Sequence, residues 1–290
     1  MSSFALKLTA LISMFIDHST FVLYIEGHMG LDLYYILRGI GRLAFPIYCF
    51  MLVNGFQKTH DRVRYLMRLM GFAVISQIPF TLCLCVNNHY GVQFGSLQFA
   101  YSGLLIIALC ALVLVLLYFA AGSRRPGDYI ITALFFLLPG LRLCSGTVTL
   151  LDGHMNVFYT LALGLALICF MDSGRRRALP VMQSIAAFAA LAGALLLIET
   201  DADYSLTGIM LILMLYFFRE SRIFTAAGLC LWACVQYGFN GANLLFTLCA
   251  AAALLPILLY NGRKGPSAKY FFYCFYPVHL AVLGLVSFII

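Results

Sequence analysis

Charged residues are scarce in this sequence, and their scarcity decides its broad class. Asp, Glu, Lys and Arg together make up 10% of the 290 residues, whereas hydrophobic residues make up 63%. A soluble domain typically contains about 25% charged residues. The composition therefore excludes a soluble enzyme, a secreted disulfide scaffold and a protein that binds nucleic acid. It predicts an integral membrane protein surrounded by the lipid bilayer.

Patterns typical of disulfides and metal sites are also missing. The ten cysteines lie singly in apolar runs, apart from the local pairs Cys83/Cys85 and Cys230/Cys234, and no CxxC or Cys/His metal spacing occurs. We interpret them as small hydrophobic residues and expect no metal. The first apolar run, residues 4–25, has no cationic leader and no small-residue cleavage pattern, so we expect it to be a retained span rather than a signal peptide.

Charges and turn residues divide the chain into eleven predicted spans. A membrane-spanning helix needs about 20 apolar residues, so 290 residues leave no room for a soluble domain. We predict an all-α, polytopic helical bundle that forms a single domain over residues 1–290. The predicted spans are 4–25, 34–57, 65–86, 97–121, 128–143, 155–171, 178–198, 204–218, 223–238, 243–260 and 270–290.

The distribution of basic residues predicts the orientation of the bundle. With the N-terminus in the cytoplasm, all but three of the 18 Lys and Arg residues fall on the inner side. The exceptions are Arg38, Arg42 and Arg142. A missed span would move every later loop to the opposite side of the membrane. The alternation of basic and non-basic loops along the chain therefore favours eleven passes with the C-terminus outside.

Asp17 and His18 lie about 20 Å into the first predicted span, where an ionisable group is costly. They belong to a polar stripe that must face protein or water. One interpretation is that His18 is a satisfied packing residue. The other is catalysis, because a neutral imidazole takes a proton from an amine or hydroxyl, or itself accepts an acyl group. The stripe consists of Thr9, Ser13, Asp17, Thr20 and Tyr24.

Arg38 and Arg42 are the second anomaly, since cations inside the outer end of a span need a partner. They are four residues apart and share a helix face. Either they form a structural ion pair with Asp17 or Asp32, or they clamp a carbonyl or an oxyanion.

Two further polar residues are placed near the same depth. Asn156 begins the sixth predicted span and is a candidate donor to an oxyanion, although the alternative for this segment is a helix cap by Asp152. His279 follows Pro277, which either opens a functional bend or merely kinks a helix around a packed His.

Basic clusters precede the third and eleventh predicted spans on the inner side. One interpretation is a solvated loop that faces anionic lipid. The other is a docking surface for a phosphorylated donor such as coenzyme A, because Lys and Arg bind phosphate. Lys7, about a turn into the first span, either snorkels or serves that donor. The clusters are Lys58, Arg62, Arg64 and Arg68, and Arg263, Lys264 and Lys269.

Several mixed polar and apolar strings resemble the TraX family, in order from the first span to the last. These strings are Ile16-Asp17-His18, Gly41-Arg42-Leu43-Ala44-Phe45-Pro46, Tyr65-Leu66-Met67-Arg68-Leu69, Ile75-Ser76-Gln77-Ile78-Pro79-Phe80, Asn156-Val157-Phe158, Tyr260-Asn261-Gly262-Arg263-Lys264-Gly265, Lys269-Tyr270-Phe271-Phe272-Tyr273 and Tyr276-Pro277-Val278-His279. The chain is also similar to the wider membrane acyltransferase superfamily, whose first span carries a basic residue, ten residues and then His. Lys7 and His18 reproduce that spacing.

The resemblance implies an activity and a place in the cell. The TraX family takes its name from a conjugation protein that acetylates the N-terminus of F-type pilin in the inner membrane. By resemblance, acetyl-coenzyme A would bind from the cytoplasm, and His18 would assist transfer to an acceptor reached from the outer side of a bacterial cytoplasmic membrane. The acceptor would be a protein N-terminus, a glycan or a lipid-linked group.

These observations favour a transmembrane O- or N-acetyltransferase. The candidate catalytic residues are His18, Asp17, Arg42, Asn156 and His279, and the candidate residues for the coenzyme A phosphates are Lys7, Arg64, Arg68 and Lys269. One alternative function is a secondary transporter or exporter of a small anionic substrate, and another is a non-catalytic assembly subunit, which would function normally without Asp17 and His18. Spans broken at Pro46, Pro79, Pro256 and Pro277 suit alternating access, although we find no paired halves in the sequence.

Overall fold

The computed structural model describes residues 1–85, 155–177, 202–287 and 289, together with part of the stretch 127–139. Its described residues form helices and connecting turns, without a β-strand. The predicted spans 97–121 and 178–198, and much of 128–143, lie outside the described residues, as do Arg142 and Asp152.

The described helices cover most of the predicted spans. They are α1 (Ser3–Ile25), α2 (Leu31–Gly41), α3 (Ala44–Lys58), α4 (Arg62–Phe80) with a π-helical continuation (Thr81–Cys85), α5 (Val157–Arg177), α6 (Ser205–Phe217), α7 (Arg222–Tyr237), α8 (Ala242–Ala252), α9 (Leu254–Leu258) and α10 (Lys269–Ser287).

Four helical segments of the described chain are long and apolar enough to cross a membrane: Ser3–Ile25, Leu31–Lys58, Arg62–Leu84 and Tyr270–Ser287. Shorter apolar helices are Val157–Asp172, Ser205–Phe217 and Ala242–Leu258. The predicted all-α, multi-span character is confirmed. The count of eleven and the orientation of the termini stay predictions.

Two predicted spans, 34–57 and 243–260, are each interrupted in the structure. The first breaks between α2 and α3 at Arg42, and the second breaks at Ala253. After each break, the third residue of the new helix is a proline: Pro46 in α3 and Pro256 in α9. Proline has no N–H to donate four residues back, and its ring collides with that carbonyl, so the helix ends there.

The chain divides into two compact units. The first comprises Met1–Gly55, the stretch that begins at Leu82, and Met210–Ile290. In it α1 packs against α2 and α10, α2 also packs against α8, and α8 packs against α7. The second unit comprises Phe56–Thr81 and the described residues between His89 and Ile209, with α4 packed on α5. The prediction of one domain stays a prediction.

Helices α1 and α10 of the first unit run in the same direction. Phe4 packs on Phe272 near the start of both helices, and Phe15 packs on Phe275 further along. The loop before α10 lies against the beginning of α1, where the N–H of Ser3 donates to the carbonyl of Arg263 at 2.8 Å. Parallel first and last helices are what an odd number of crossings requires.

Candidate functional site

The polar stripe of α1 is buried between helices. Asp17 and His18 are 8% and 9% exposed, although they are adjacent in the sequence. Successive residues of a helix point about 100° apart, so the two side chains face different neighbours. Asp17 faces α2, whereas His18 faces α10.

Asp17 forms ion pairs with both arginines of α2. Its Oδ2 accepts a hydrogen bond from Nη1 of Arg38 at 2.7 Å, and its Oδ1 lies 3.5 Å from Nη2 of Arg42. Of the two carboxylates that the sequence offered as partners of the arginines, the structure pairs them with Asp17 rather than Asp32. The Arg42 contact is the looser of the two.

Among the described residues, the Asp17 cluster consists of Asp17, Arg38 and Arg42, whose formal charges sum to +1, in a largely dehydrated place. Aromatic rings flank both guanidinium groups: Phe21 lies 5.3 Å from that of Arg38, and Phe246 lies 5.2 Å from that of Arg42. Such contacts stabilise a cation without neutralising it. The cluster is therefore suited to attract a negative or polarised oxygen.

The break between α2 and α3 positions Arg42. Ser13 of α1 donates its hydroxyl to the carbonyl of Ile40 at 2.7 Å, and the carbonyl of Gly41 lies 3.2 Å from the same oxygen. These carbonyls lie at the helix end, where intrahelical partners run out. Ser13 thereby ties the broken end of α2 to α1, one helical turn from Asp17.

His18 and His279 are hydrogen-bonded to each other. Nδ1 of His18 lies 2.8 Å from Nε2 of His279, and the two rings are within 3° of parallel. Their centroids are 5.1 Å apart, a separation that fits rings joined edge to edge rather than stacked face to face. The bond thus lies close to the ring planes, in which a nitrogen lone pair points.

Aromatic residues enclose the histidine pair. Phe275 stacks on His279 at 4.8 Å, and Phe15 meets the same ring edge-on at 6.2 Å. Tyr276 lies edge-on to His18 at 6.0 Å. His279 is 5% exposed, so its imidazole is buried among aromatic rings.

Lys7 lies on the same face of α1 as His18, nearer the start of the helix. Eleven residues are close to three full turns, so the two side chains are aligned about 16 Å apart along the axis. The Lys7 ammonium sits 5.6 Å from the ring of Phe272, one turn after Lys269 begins α10. Two of the four residues predicted to bind phosphate, Lys7 and Lys269, therefore lie in the first turns of two helices that pack together.

Arg64 and Arg68, the other two predicted phosphate ligands, belong to the second unit. Nε of Arg64 pairs with Asp61 at 3.1 Å, in a half-exposed contact at the start of α4. The guanidinium of Arg68 lies 5.6 Å from the ring of Tyr65. Arg62, beside them, forms an ion pair with Asp172 of α5.

Asn156, also in the second unit, is fully buried at the start of α5. Its side-chain amide donates to the carbonyl of Ala73 and to Oε1 of Gln77, both at 2.8 Å. Its Oδ1 accepts the N–H of Phe158 at 3.0 Å, as an N-terminal cap does. Both amide hydrogens are thus committed within the protein, and a role for Asn156 at an oxyanion stays a prediction.

The structure brings together His18, Asp17, Arg42 and His279 of the predicted catalytic set in the first unit. Sequence reasoning missed the pairing of the two histidines and the part played by Gln77. The signal for Gln77 was present, because it is an uncharged polar residue inside an apolar span. No local sequence signal pairs His18 with His279, since 261 positions separate them.

The described residues, with several helices of membrane length and a buried ionisable cluster, define a helical membrane protein. The TraX protein family model matches residues 2–142 and 142–287, so the chain belongs to the TraX family. It is 30% identical to the probable fimbrial assembly protein FimC, serogroup H1, of Dichelobacter nodosus, in an alignment that covers 97% of this chain and 94% of the relative. No solved structure matches the chain.

Proposed function

We propose that this protein is a membrane acyltransferase that moves an acetyl group from acetyl-coenzyme A to an amine or hydroxyl. The observation that carries the proposal is the buried His18–His279 pair, next to an Asp17 cluster with a surplus positive charge. A proton acceptor and a cation that stabilises a developing oxyanion, carried by neighbouring helices, are what acyl transfer needs.

His18 acts on the acceptor. It removes the proton of the attacking amine or hydroxyl, or it carries the acetyl group transiently. Asp17 does not bond to the imidazole in this structure, so its role is to hold Arg38 and Arg42 in place.

Arg42 polarises the thioester carbonyl. The contact of Arg42 with Asp17, at 3.5 Å, is longer than the Arg38 contact. Breaking this contact therefore costs less free energy when the Arg42 guanidinium turns toward a substrate oxygen. Negative charge develops on that oxygen in the transition state, and a guanidinium in a dehydrated site stabilises it strongly.

The beginning of α1 and α10 receives the donor. Lys7 and Lys269 lie at this end, with the Arg263–Lys264 loop bound to the first residues of α1. Coenzyme A carries several phosphate charges, which Lys and Arg recognise. Arg64 and Arg68 stay predicted phosphate ligands.

The acceptor is proposed to be a subunit of a surface fibre. The Dichelobacter relative is named as a fimbrial assembly protein, and the family is associated with pilin acetylation. An exported fibre subunit would present its N-terminal amine or a hydroxyl to the enzyme from the membrane, consistent with a site built into spanning helices.

The test uses inverted membrane vesicles from cells that express the full chain, supplied with [14C]acetyl-coenzyme A and a co-expressed fimbrial subunit. We expect label on the subunit and a loss of at least about 100-fold with His18→Ala. His28→Gln, at an exposed histidine outside the helices, is the matched control and should retain full transfer. Equal labelling by wild type and His18→Ala would eliminate the proposed role.

The interruption of the Leu31–Lys58 span at Arg42 favours a second candidate, a transporter of a small anion. Broken helices, whose half-helix N-termini point at anionic substrate groups, form the binding site in several transporter folds. Proteoliposomes that take up an anionic solute without consuming any thioester would support this candidate against acetyl transfer.

A further inference from the structure

The hydrogen bonds of His279 determine where its proton lies. Nδ1 of His279 is 2.8 Å from the carbonyl oxygen of Phe275, one turn earlier in α10. A carbonyl only accepts hydrogen bonds, so this nitrogen carries the hydrogen. In a neutral imidazole the other nitrogen, Nε2, is then an acceptor.

The hydrogen bond to His279 in turn determines where the His18 ring carries its hydrogen. Its Nδ1 lies 2.8 Å from Nε2 of His279, which is the acceptor of that bond, so Nδ1 of His18 carries the hydrogen. Nε2 of His18 is left with a free lone pair. In the described part of the chain, the bond to His279 is the one hydrogen bond that the His18 ring makes.

A doubly protonated His279 would reverse the arrangement, but its surroundings disfavour it. The ring is 5% exposed and stacks on Phe275, and the neighbouring cluster already has a surplus positive charge. Another buried cation in this place would lack compensation.

We propose that His279 is a positioning residue, which together with the Phe275 carbonyl locks His18 in the Nδ1–H tautomer and makes Nε2 of His18 the reacting nitrogen. The assignment of a reacting nitrogen rests on the proposed function. The tautomer itself does not.

In acetyl transfer, Nε2 of His18 then both accepts and returns the proton. The acceptor nitrogen or oxygen bonds to the thioester carbon while its proton passes to Nε2 of His18. The carbon–sulfur bond breaks, and the leaving sulfur takes that proton to give free coenzyme A. Nδ1 keeps its hydrogen throughout, stabilised by His279 as the imidazolium forms, in the way that an orienting group serves a catalytic histidine.

Nitrogen NMR tests the tautomer without any substrate. The full chain, labelled with 15N in its histidine rings and placed in lipid bilayers, gives distinct signals for protonated and unprotonated ring nitrogens. His18→Gln identifies the His18 signals among those of the six histidines. We expect Nδ1 protonated and Nε2 unprotonated in the resting protein.

Two variants of His279 separate positioning from packing. His279→Gln places an acceptor oxygen near the former Nε2, whereas His279→Phe keeps a ring without an acceptor. We expect His279→Gln to keep the Nδ1–H tautomer and to retain kcat within about fivefold. We expect His279→Phe to shift His18 toward the Nε2–H form and to lower kcat by at least about 10-fold, with KM changed less than about threefold.

The outcomes distinguish this inference from the proposed function. A resting His18 with hydrogen on Nε2, or a tautomer unchanged in a folded His279→Phe variant, would overturn the positioning role even if acetyl transfer is found. Vesicles without any acetyl transfer would overturn the function while leaving the tautomer assignment intact.

Discussion

Gly41 of α2 lies directly against the carboxylate of Asp17 on α1, with no room for a methyl group between them. The missing side chain lets α2 approach the polar stripe of α1 closely. Arg38 and Arg42 are on the same helix, so the approach brings both guanidinium groups onto one carboxylate. A glycine therefore sets the geometry of the whole Asp17 cluster.

Gly41→Ala should damage this cluster. A Cβ at position 41 would overlap the Asp17 carboxylate, and forcing extra atoms into a packed site costs about 1–3 kcal/mol. We expect a lower thermal unfolding temperature in detergent and weaker acetyl transfer. Gly71→Ala is the matched control, since its new Cβ would come no closer than 4.0 Å to Ile131 and should be neutral or slightly stabilising. Equal stability of the two variants would contradict the close contact.

Arg38 and Arg42 should differ in what their loss changes. Arg38 makes the short bond to Asp17, so Arg38→Gln breaks a partly buried pair and should lower stability by about 2–3 kcal/mol. Arg42→Gln leaves that bond intact, and should lower kcat by about 100-fold or more with a smaller loss of stability. Thermal unfolding and initial rates measured on the same preparations compare the two. A larger loss of stability in Arg42→Gln and a larger loss of kcat in Arg38→Gln would assign the catalytic role to Arg38 instead.

Asn156 should act through stability rather than chemistry. Removing its amide takes one hydrogen bond from Oε1 of Gln77 and one from the Ala73 carbonyl in a fully buried place, at a cost of about 0.5–1.5 kcal/mol per bond. We therefore expect Asn156→Ala and Gln77→Ala to destabilise the protein non-additively in a double-mutant cycle. A folded Asn156→Ala variant with normal stability and a much lower kcat would instead support its predicted role at the oxyanion.

Lys7→Gln should weaken donor binding without slowing the chemical step. An ionic hydrogen bond to phosphate contributes about 1.5–3 kcal/mol, so KM for acetyl-coenzyme A should rise about 10-fold or more while kcat changes little. The effect should shrink as salt is added. Arg219→Gln is the control, because that guanidinium is bonded to the Tyr216 carbonyl at the end of α6. An unchanged KM in Lys7→Gln would remove Lys7 from the donor site.

Much of the candidate site was predictable because its residues are ionisable, whereas the segments around them are apolar. Asp17, His18, Arg38 and Arg42 are ionisable groups in apolar segments, and such groups need partners wherever they lie. The sequence narrowed the partner of the arginines to Asp17 or Asp32. It did not decide between them, because the choice depends on how α2 crosses α1.

The helix breaks were only partly predictable. Four of the eight prolines, Pro46, Pro79, Pro256 and Pro277, were candidates for an interruption. Pro46 and Pro256 lie at the third position of a new helix, whereas Pro79 and Pro277 remain inside α4 and α10. Proline removes the same hydrogen bond at every site, but neighbouring helices determine whether the chain bends or stops.

By itself, the amino-acid sequence determined that this protein is a helical membrane protein, because long apolar runs satisfy their backbone hydrogen bonds in lipid only as helices. It also supplied the unusual polar residues of the first span. Only the tertiary structure decided that His18 meets His279 and that Asp17 gathers two arginines. Those contacts join residues remote in the chain, and helix packing alone brings them within bonding distance.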